Sequence, residues 1–337
     1  MTEYAARLEL DVPRLLTDDV DVHFGFPRVV RAHNRDLLLF YRVGTTHAHD
    51  DAVIAMRRSA DNGASWSEEE IIRTLDPGSS AHNPVALVCP DGRVILWTSQ
   101  YEYGANLRHP CWWSSSADHG RTWHPFSIFD PSETHNCYYV TDAIVISDGL
   151  LASDATFPAS GAGNCHTRIH HSSDDGATWT VRSLLTQPEE NKGDEAGLAE
   201  TVPGTTLCLH RDRGRTDIYR FWSHDGGRTW SPRESIRDVL DCVLQRPFLT
   251  PIRDGVLLLS GRDYKRKRVV AYLSTDGGHT FGRRLEVDTF QEDGAYTTVA
   301  PIGTDVCLFI WYSDSHTVPL KPDIKSAVLT VRGLPAA

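Results

Sequence analysis

Four arginines and a group of aromatic side chains offer the clearest chemistry in this sequence. Arg42, Arg211, Arg246 and Arg262 each lie where a β-rich segment begins or ends, and tyrosines or histidines occur at comparable positions. A guanidinium group binds a carboxylate through two parallel hydrogen bonds, and an aromatic face stacks on a sugar ring. If the fold brings these residues together, they would recognise a sugar that carries a carboxylate.

A repeated eight-residue turn indicates a fold that could bring them together. The central aspartates of successive copies are separated by 57, 56, 51 and 51 residues, which is a repeat period. Each copy follows β-rich segments joined by short turns, and the sequence shows no long helical periodicity. Four antiparallel strands per repeat, arranged around an axis, form a β-propeller. The copies are SADNGASW (59–66), SADHGRTW (116–123), SSDDGATW (172–179), SHDGGRTW (223–230) and STDGGHTF (274–281).

The two ends of the chain complete the predicted ring. The last unit has strands near YTTVAPIG, VCLFIWYS and IKSAVLTV but no copy of the turn, whereas the N-terminal ARLELDV is a spare strand. Pairing these segments would close the ring and remove its open edges. The sequence therefore predicts an all-β, six-bladed β-propeller that forms one domain over residues 1–337, with residues 6–13 completing the last blade.

The strand order of a blade also predicts which face contains a site. The start of the first strand and the end of the second lie on one face, and the repeated turn lies on the other. We expect the first face to contain His23–Gly25, His82–Asn83, Tyr138–Tyr139, Glu195, Gln245–Arg246 and Ala295–Tyr296, together with Arg42, Gln100–Tyr101, Asp154, Arg211, Arg262 and Tyr312.

The repeated turn resembles the Asp box of the sialidase (neuraminidase) superfamily, whose members are six-bladed propellers, and the resemblance covers nearly the whole chain. EAGLAETVPGTTLCLHR is similar to the sialidase segment with a catalytic glutamate and an arginine that binds the substrate carboxylate, which implies these roles for Glu195 and Arg211. DGAYTTVAPIGTDVCLFIWY resembles the segment with the tyrosine nucleophile, which implies that role for Tyr296. RVGTTHAHDDAVIAMRRSADNG resembles the loop with the acid/base aspartate, here Asp50 or Asp51.

The chain departs from the sialidase pattern in its first blade. Sialidases have an arginine two residues before a proline there, and aligning the proline of HFGFPRVV places Gly25 at that position. One of the three arginines that bind the substrate carboxylate is therefore missing. Arg42 or Arg246 could replace it, and both Arg262 and Arg266 are near the expected place of another.

The resemblance implies an exo-acting glycoside hydrolase of sialidase type that acts on a sialic-acid-like or uronic glycan. Tyr296 would attack the anomeric carbon while Glu195 accepts its proton, because a phenol with a pKa near 10 is a weak nucleophile.

Two alternatives stay open. A polysaccharide lyase would cleave next to a uronic acid by β-elimination, which requires a neutralised carboxylate, a base and an acid. His82, Tyr138, His135 and Tyr296 are the candidate bases and acids, and His82 and Tyr138 are also expected to bind substrate. The second alternative is a non-catalytic glycan-binding propeller, because Asp boxes also occur in proteins without activity.

Composition excludes several classes of partner. The formal net charge of −11 argues against nucleic acid and anionic membranes, which leaves an acidic oligosaccharide or polysaccharide as the expected partner. The N-terminal segment does not read as a secretory signal, so we expect a cytoplasmic protein or a secreted one without its leader. Seven cysteines, about one per repeat, predict buried thiols. HAHDD (47–51) and CHTRIHH (165–171) contain metal-ligand residue types without recognisable spacing, and we expect neither a metal nor another cofactor.

Overall fold

The computed structural model describes residues 6–129, 135–158 and 164–334, which form six antiparallel sheets. The first strand of each sheet contacts the first strands of the two neighbouring sheets, so the sheets surround one axis. Helical structure in these ranges is confined to a 3-10 turn at Pro188–Glu190 and one helical turn, α1, at Arg237–Leu240. The predicted all-β, six-bladed propeller is therefore confirmed.

The strands follow one another in meanders. In chain order they are β1 (Arg7–Leu10), β2 (Arg14–Leu15), β3 (His23–Arg31), β4 (Leu37–Gly44), β5 (Val53–Ser59), β6 (Glu70–Arg73), β7 (Ser80–Val88), β8 (Val94–Glu102), β9 (Leu107–Arg108), β10 (Trp112–Ser116), β11 (Ser127–Ile128), β12 (His135–Ile146), β13 (Gly149–Pro158), β14 (His166–Ser172), β15 (Thr180–Leu184), β16 (Ala196–Val202), β17 (Thr205–Arg211), β18 (Ile218–Ser223), β19 (Glu234–Ser235), β20 (Leu244–Arg253), β21 (Val256–Asp263), β22 (Arg268–Ser274), β23 (Leu285–Thr289), β24 (Gly294–Gly303), β25 (Val306–Ser313) and β26 (Asp323–Arg332). The blades are β3–β6, β7–β11, β12–β15, β16–β19, β20–β23 and β24–β26 with β1.

The N-terminal strand closes the ring, as the sequence predicts. Strand β1 pairs antiparallel with β26, from Arg7 opposite Arg332 to Leu10 opposite Leu329, and β2 pairs with the same strand further along. The sixth blade is thus built from both ends of the chain. Strand β26 is thereby paired on both sides, with β25 and with β1.

The Asp boxes stabilise the turns and join neighbouring blades. In the fourth blade, Asp225 accepts hydrogen bonds from the backbone and the hydroxyl of Thr229 at 2.9 and 2.7 Å. The hydroxyl of Ser223 in turn accepts a bond from Gly227. The box aromatic residues pack in five of the apolar clusters of the described core: Trp66, Trp123, Trp179, Trp230 and Phe281.

The first strands of four blades contain equivalent β-bulges that reach the axis. In each, a residue other than glycine adopts a left-handed conformation, with φ between 46° and 76°, and the strand register shifts at that point. Bulges re-aim the side chains around them. The left-handed residues are Phe26, Asn83, Arg246 and Ala295.

Two further features agree with the sequence. All seven cysteines are buried and free, which confirms the expected buried thiols. Among the residues described above, the helical segments are too short to span a bilayer.

The last glycine of each box also allows adjacent blades to approach closely. A Cβ atom on Gly278, where φ is 94°, would lie 2.4 Å from a methyl group of the fully buried Leu207 in the preceding blade. Gly204 has a similar φ of 82°, but a Cβ atom there would have no neighbour within 4 Å. Alanine variants at these two positions therefore distinguish the cost of backbone strain from the cost of steric crowding.

We predict that Gly204→Ala lowers the free energy of unfolding by about 1 kcal/mol, because alanine pays only the cost of the left-handed conformation. Gly278→Ala should lower it by about 2–4 kcal/mol, because overpacking adds to that cost. Urea unfolding of the full chain measures both values. Equal losses would show that the contact between the blades is not what requires glycine.

Candidate active site

A hydrogen-bonded tyrosine and glutamate lie on the face formed by the first-strand starts. Tyr296 follows the bulge of β24, and Glu195 immediately precedes β16. The phenol of Tyr296 donates to Oε1 of Glu195 at 2.6 Å. Arg211, at the end of β17, donates to Oε2 of the same carboxylate, and its backbone amide donates to the carbonyl of Glu195. The fourth and sixth blades thus meet at one carboxylate.

Burial and charge keep this pair in opposite protonation states. Burial and the negative charge of Glu195 raise the pKa of Tyr296 to about 12, against the opposing charges of Arg262 and Arg211. Burial alone would raise the pKa of Glu195, but Arg211 and Arg246 lower it to about 2. At neutral pH a neutral phenol therefore donates to an ionised carboxylate. The proton acceptor that a tyrosine nucleophile requires is in contact with it.

Three arginines surround the Tyr296–Glu195 pair. The guanidinium carbon of Arg262 lies 4.9 Å from the centre of the Tyr296 ring, and that of Arg246 lies 5.7 Å from it. Arg262 is held by Gln245, whose side-chain oxygen accepts a bond of 2.8 Å. The fold thus brings Arg211, Arg246 and Arg262 together.

The arginine cluster has spare positive charge and spare donors. Within the described part of the chain, Nη1 of Arg246 and Nε of Arg262 are buried without a hydrogen-bond partner. Nε of Arg211 lies 3.4 Å from the Asp194 carboxylate, although no hydrogen bond forms in that geometry. Unpaired buried donors are costly, so they indicate a place for an acceptor. Three guanidinium groups beside two carboxylates can accept one more anion.

Phe26 separates this cluster from a second group of polar residues. Its ring is edge-on to Tyr296, with the ring centres 5.4 Å apart, and to His47 at 5.3 Å. Phe26 occupies the bulge of β3, where the chain turns toward the axis. The tyrosine and the histidine thus both pack edge-on against one aromatic ring.

A buried aspartate organises the second group. Oδ2 of Asp293 lies 2.7 Å from Nε2 of His23 and 2.7 Å from Nδ1 of His47, and the Tyr312 hydroxyl donates to Oδ1 at 3.3 Å. Burial alone would raise the pKa of Asp293, but these histidines lower it well below its usual range. The carboxylate is therefore ionised and accepts from both rings.

Arg42 fixes the protonation of His23. The Nη1 atom of Arg42 lies 3.0 Å from Nδ1 of His23, and an arginine can only donate. Nδ1 of His23 must then be the acceptor, so the ring proton is on Nε2 and points to Asp293. Burial also lowers the pKa of His23. His23 is therefore a neutral donor at physiological pH.

A metal ion fits this second group poorly. His23, His47 and Asp293 have ligand atoms within 4.8 Å of one another, and these residue types bind metals. Metal binding would require the Nε2 lone pair of His23, which would move the ring proton to Nδ1. There it would face the guanidinium of Arg42, so that two donors would oppose each other. The arrangement suits a hydrogen-bonded network instead.

The two candidate acid/base aspartates contact the loops around them. Asp50 accepts from the backbone amides of Tyr103 and Gly104 at 2.6 and 2.9 Å. Asp51 accepts from the backbone amide of Thr45 at 3.1 Å and lies near His49.

Of the remaining predicted arginines, Arg42 and Arg266 do not face Tyr296. Arg42 is fully buried, and all three of its guanidinium nitrogens donate to protein atoms, among them Nε2 of His82. Arg266 pairs with Asp241 and Asp263 at the surface. The carboxylate-facing cluster therefore contains Arg262 rather than Arg266.

Gly25 is enclosed by residues that leave no room for an arginine. A Cβ atom at this position would lie 2.8 Å from the ring of His23 and 3.4 Å from that of Tyr312. The packing around Gly25 thus excludes the arginine that sialidases have at this position.

The residues proposed for the lyase alternative are distributed over several blades. His82 contacts Phe26 and Tyr103, and burial lowers its pKa well below the usual range. Tyr138 packs against Phe157 in the third blade. The side chain of His135 lies outside the part of the structure that is described.

Sequence reasoning did not identify Phe26, His47 and Asp293 as site residues. His47 lies in the HAHDD segment, which the sequence marks for its residue types, and Asp293 precedes the segment assigned to the nucleophile. Phe26 carries no signal in the sequence apart from the proline that follows it.

The chain matches a family model of BNR repeat-like domains over residues 35–300. It is 25% identical to a sialidase of Bacteroides fragilis (strain YCH46) over 66% of this chain and 46% of that protein. It is 22% identical to a sialidase of Paraclostridium sordellii over 62% of this chain and 57% of that protein. The chain thus spans about half the length of these curated relatives.

Solved structures show the same fold at low identity. A protein of unknown function from Dyadobacter fermentans DSM 18053 has a TM-score of 0.80 at 18% identity, covering 96% of this chain and 99% of that one. NanB sialidase from Streptococcus pneumoniae has a TM-score of 0.72 at 14% identity, covering 97% and 71%. Five Asp boxes, six blades and the match over residues 35–300 agree: the chain belongs to the BNR repeat-like domain family, the Asp-box propellers of the sialidase superfamily.

Proposed function

We propose that this protein is a glycoside hydrolase of sialidase type that releases a carboxylate-bearing sugar from the end of a glycan. The observation that carries the proposal is the bond of 2.6 Å from Tyr296 to Glu195 beside three arginines. A non-catalytic glycan-binding propeller has no need of a buried phenol–carboxylate pair. The curated relatives named sialidases support the same class of reaction.

In the proposed reaction, Arg211, Arg246 and Arg262 bind the sugar carboxylate. The Tyr296 oxygen attacks the anomeric carbon while its proton moves to Glu195, and the bond to the leaving oxygen breaks as that oxygen gains a proton. Water then displaces the tyrosine, which recovers its proton from Glu195. The resemblance to sialidases assigns the leaving-group proton to Asp50 or Asp51.

Substrate binding should also activate the base. The arginines hold the pKa of Glu195 at about 2, which makes it a poor base in the free protein. A substrate carboxylate among the arginines offsets part of their charge, and this raises the basicity of Glu195. An acidic sugar is thereby favoured over a neutral one in the chemical step as well as in binding.

A lyase is the second candidate, and the histidines around Phe26 favour it. His23, His47 and His82 all lie within 6.4 Å of the Phe26 ring between ring centres. With the arginines to neutralise a uronic carboxylate, such a site could remove a proton and eliminate the leaving oxygen. Products decide between the two reactions, because elimination leaves an unsaturated sugar that absorbs near ~230 nm and hydrolysis does not.

We predict that Tyr296→Phe and Glu195→Gln each lower kcat/KM at least about a hundredfold on an acidic glycoside, since the first removes the nucleophile and the second its base. The assay uses 4-nitrophenyl glycosides of N-acetylneuraminic acid and of glucuronic acid, with released nitrophenol as the readout. Unchanged turnover in both variants would reject the hydrolase mechanism.

Arg246 allows a separate test of carboxylate binding. Among the described residues Arg246 acts on the Glu195 carboxylate through its charge, without the direct ion pair that Arg211 forms, so Arg246→Ala should lower the melting temperature less than Arg211→Ala. We predict a roughly tenfold to hundredfold loss of kcat/KM, from the loss of a charge-assisted bond of about 1.5–3 kcal/mol. Arg246→Lys should restore only part of the loss, because a lysine cannot reproduce the paired geometry.

The control variant for this test lies on the opposite face. Asp225→Ala removes the Asp-box bonds to Thr229 and should lower the melting temperature while kcat/KM of the folded protein stays the same. Full activity of Arg246→Ala on acidic glycosides would show that the arginine cluster does not bind the substrate.

A further inference from the structure

We propose that His47, held by Asp293, is the general acid and base of the site. The inference rests on the proposed glycosidase function and replaces the aspartates that the sialidase resemblance implies for this role. It starts from Phe26, against which Tyr296 and His47 both pack edge-on, with ring centres 5.4 and 5.3 Å from it. Each of these two side chains has its own buried carboxylate partner.

Asp293 orients the His47 ring for proton transfer. Nδ1 of His47 donates to Oδ2 of Asp293 at 2.7 Å, which leaves Nε2 as the free nitrogen. The Asp293 side chain is 6% exposed, whereas that of His47 is 44% exposed. A buried carboxylate behind a half-exposed imidazole fixes the tautomer and the orientation of the ring, as in other histidine catalysts.

Compared with the other titratable groups that face it, His47 is the most suitable acid. His23 is neutral because Arg42 occupies its Nδ1, and burial lowers the pKa of both His23 and His82. Tyr103, whose hydroxyl contacts the His47 carbonyl, has a pKa raised by burial to about 12.

Two charged groups complete the surroundings of His47. The pKa of Arg42 falls to about 10 through burial, and Asp293 stays ionised. Arg42 and Asp293 therefore hold fixed charges beside His47.

The two candidate aspartates are less suited to the role. Both oxygens of Asp50 already accept backbone amide bonds from Tyr103 and Gly104, so the carboxylate is engaged by that loop. Hydrogen bonds from Thr45 lower the pKa of Asp51, although its burial acts in the opposite direction. An acid has to be protonated when the substrate binds.

The proton balance of the proposed step is complete. In the first half-reaction, Nε2–H of the His47 imidazolium gives its proton to the leaving oxygen as the bond from that oxygen to the anomeric carbon breaks. The Tyr296 oxygen bonds to the carbon, and its proton passes to Glu195. In the second, Nε2 takes a proton from the attacking water, and the departing Tyr296 oxygen recovers the proton from Glu195.

The test compares leaving groups in His47→Gln. A methyl glycoside needs protonation to leave, whereas a 4-nitrophenyl glycoside does not. We expect kcat/KM to fall at least about a hundredfold on methyl glycosides of N-acetylneuraminic acid or glucuronic acid, and less than about tenfold on the nitrophenyl glycosides. The alkaline decline in kcat/KM that a protonated acid imposes on the wild type with methyl glycosides should be absent from His47→Gln. A merely structural role would affect both substrates equally.

Matched variants identify the acid. His49→Gln removes an exposed histidine two residues away and should have no effect. Asp50→Asn and Asp51→Asn should affect both leaving groups alike. If either aspartate variant shows the leaving-group dependence and His47→Gln does not, the proposal is overturned.

A second measurement does not depend on turnover. In ¹⁵N-histidine NMR spectra at high pH, with His47→Gln for assignment, neutral His47 should carry its proton on Nδ1. A proton on Nε2 would overturn the dyad even if the protein were active. Conversely, an Nδ1 proton in a protein that hydrolyses no acidic glycoside would reject the proposed function while keeping the His47–Asp293 geometry. The two measurements thus distinguish a failure of the His47–Asp293 proposal from a failure of the proposed glycosidase function.

Discussion

The buried carboxylate of Glu195 is the constraint on which the site depends. An ionised carboxylate away from water is stable only when it is paired and hydrogen-bonded. Arg211 comes from the same blade as Glu195, but Tyr296 comes from the sixth blade. That blade is completed by the N-terminal strand β1. The site therefore requires a closed ring, and residues at the start of the chain contribute to it without touching it.

The two faces of the propeller use backbone conformation differently. In each Asp box, the last left-handed position is a glycine, which adopts it at little steric cost, although Asn62, His119 and Asp175 adopt the same region one residue earlier. On the site face, Phe26, Arg246 and Ala295 adopt the same region at a cost. The bulges at Phe26 and Arg246 bring the side chains of these residues near Tyr296, and the bulge at Ala295 immediately precedes Tyr296 itself.

The fold could be predicted from the sequence because it depends on repeated local signals. Five Asp boxes with a regular period identify the blades, and the spare strand at 6–13 identifies the closure. Strand order predicts the face of the site, so the grouping of Glu195, Arg211 and Tyr296 could be predicted from the sequence. These residues depend on blade geometry, which the repeat determines.

The other half of the site was not predictable in the same way. Asp293 and His47 are 246 residues apart, and their contact depends on how two loops pack against Phe26. No repeat specifies that packing, because the loops differ in every blade. The choice between Arg262 and Arg266 likewise depends on one bulge in β20 and on Gln245, which holds Arg262. Sequence periodicity specifies strands, whereas such contacts depend on individual side chains.

The replacement at Gly25 connects the two halves of the site. In place of an arginine, the space contains His23 and Tyr312, and both contact Asp293. An additional guanidinium there would compete with the histidines for that carboxylate. The chain instead has Arg42 on the neighbouring strand, where it donates to Nδ1 of His23, whose pKa is lowered chiefly by burial. The absence of an arginine at position 25 is thus coupled to the hydrogen bonds by which Asp293 orients His23 and His47. On this view Arg211, Arg246 and Arg262 bind the anion, and the His47–Asp293 pair transfers the proton.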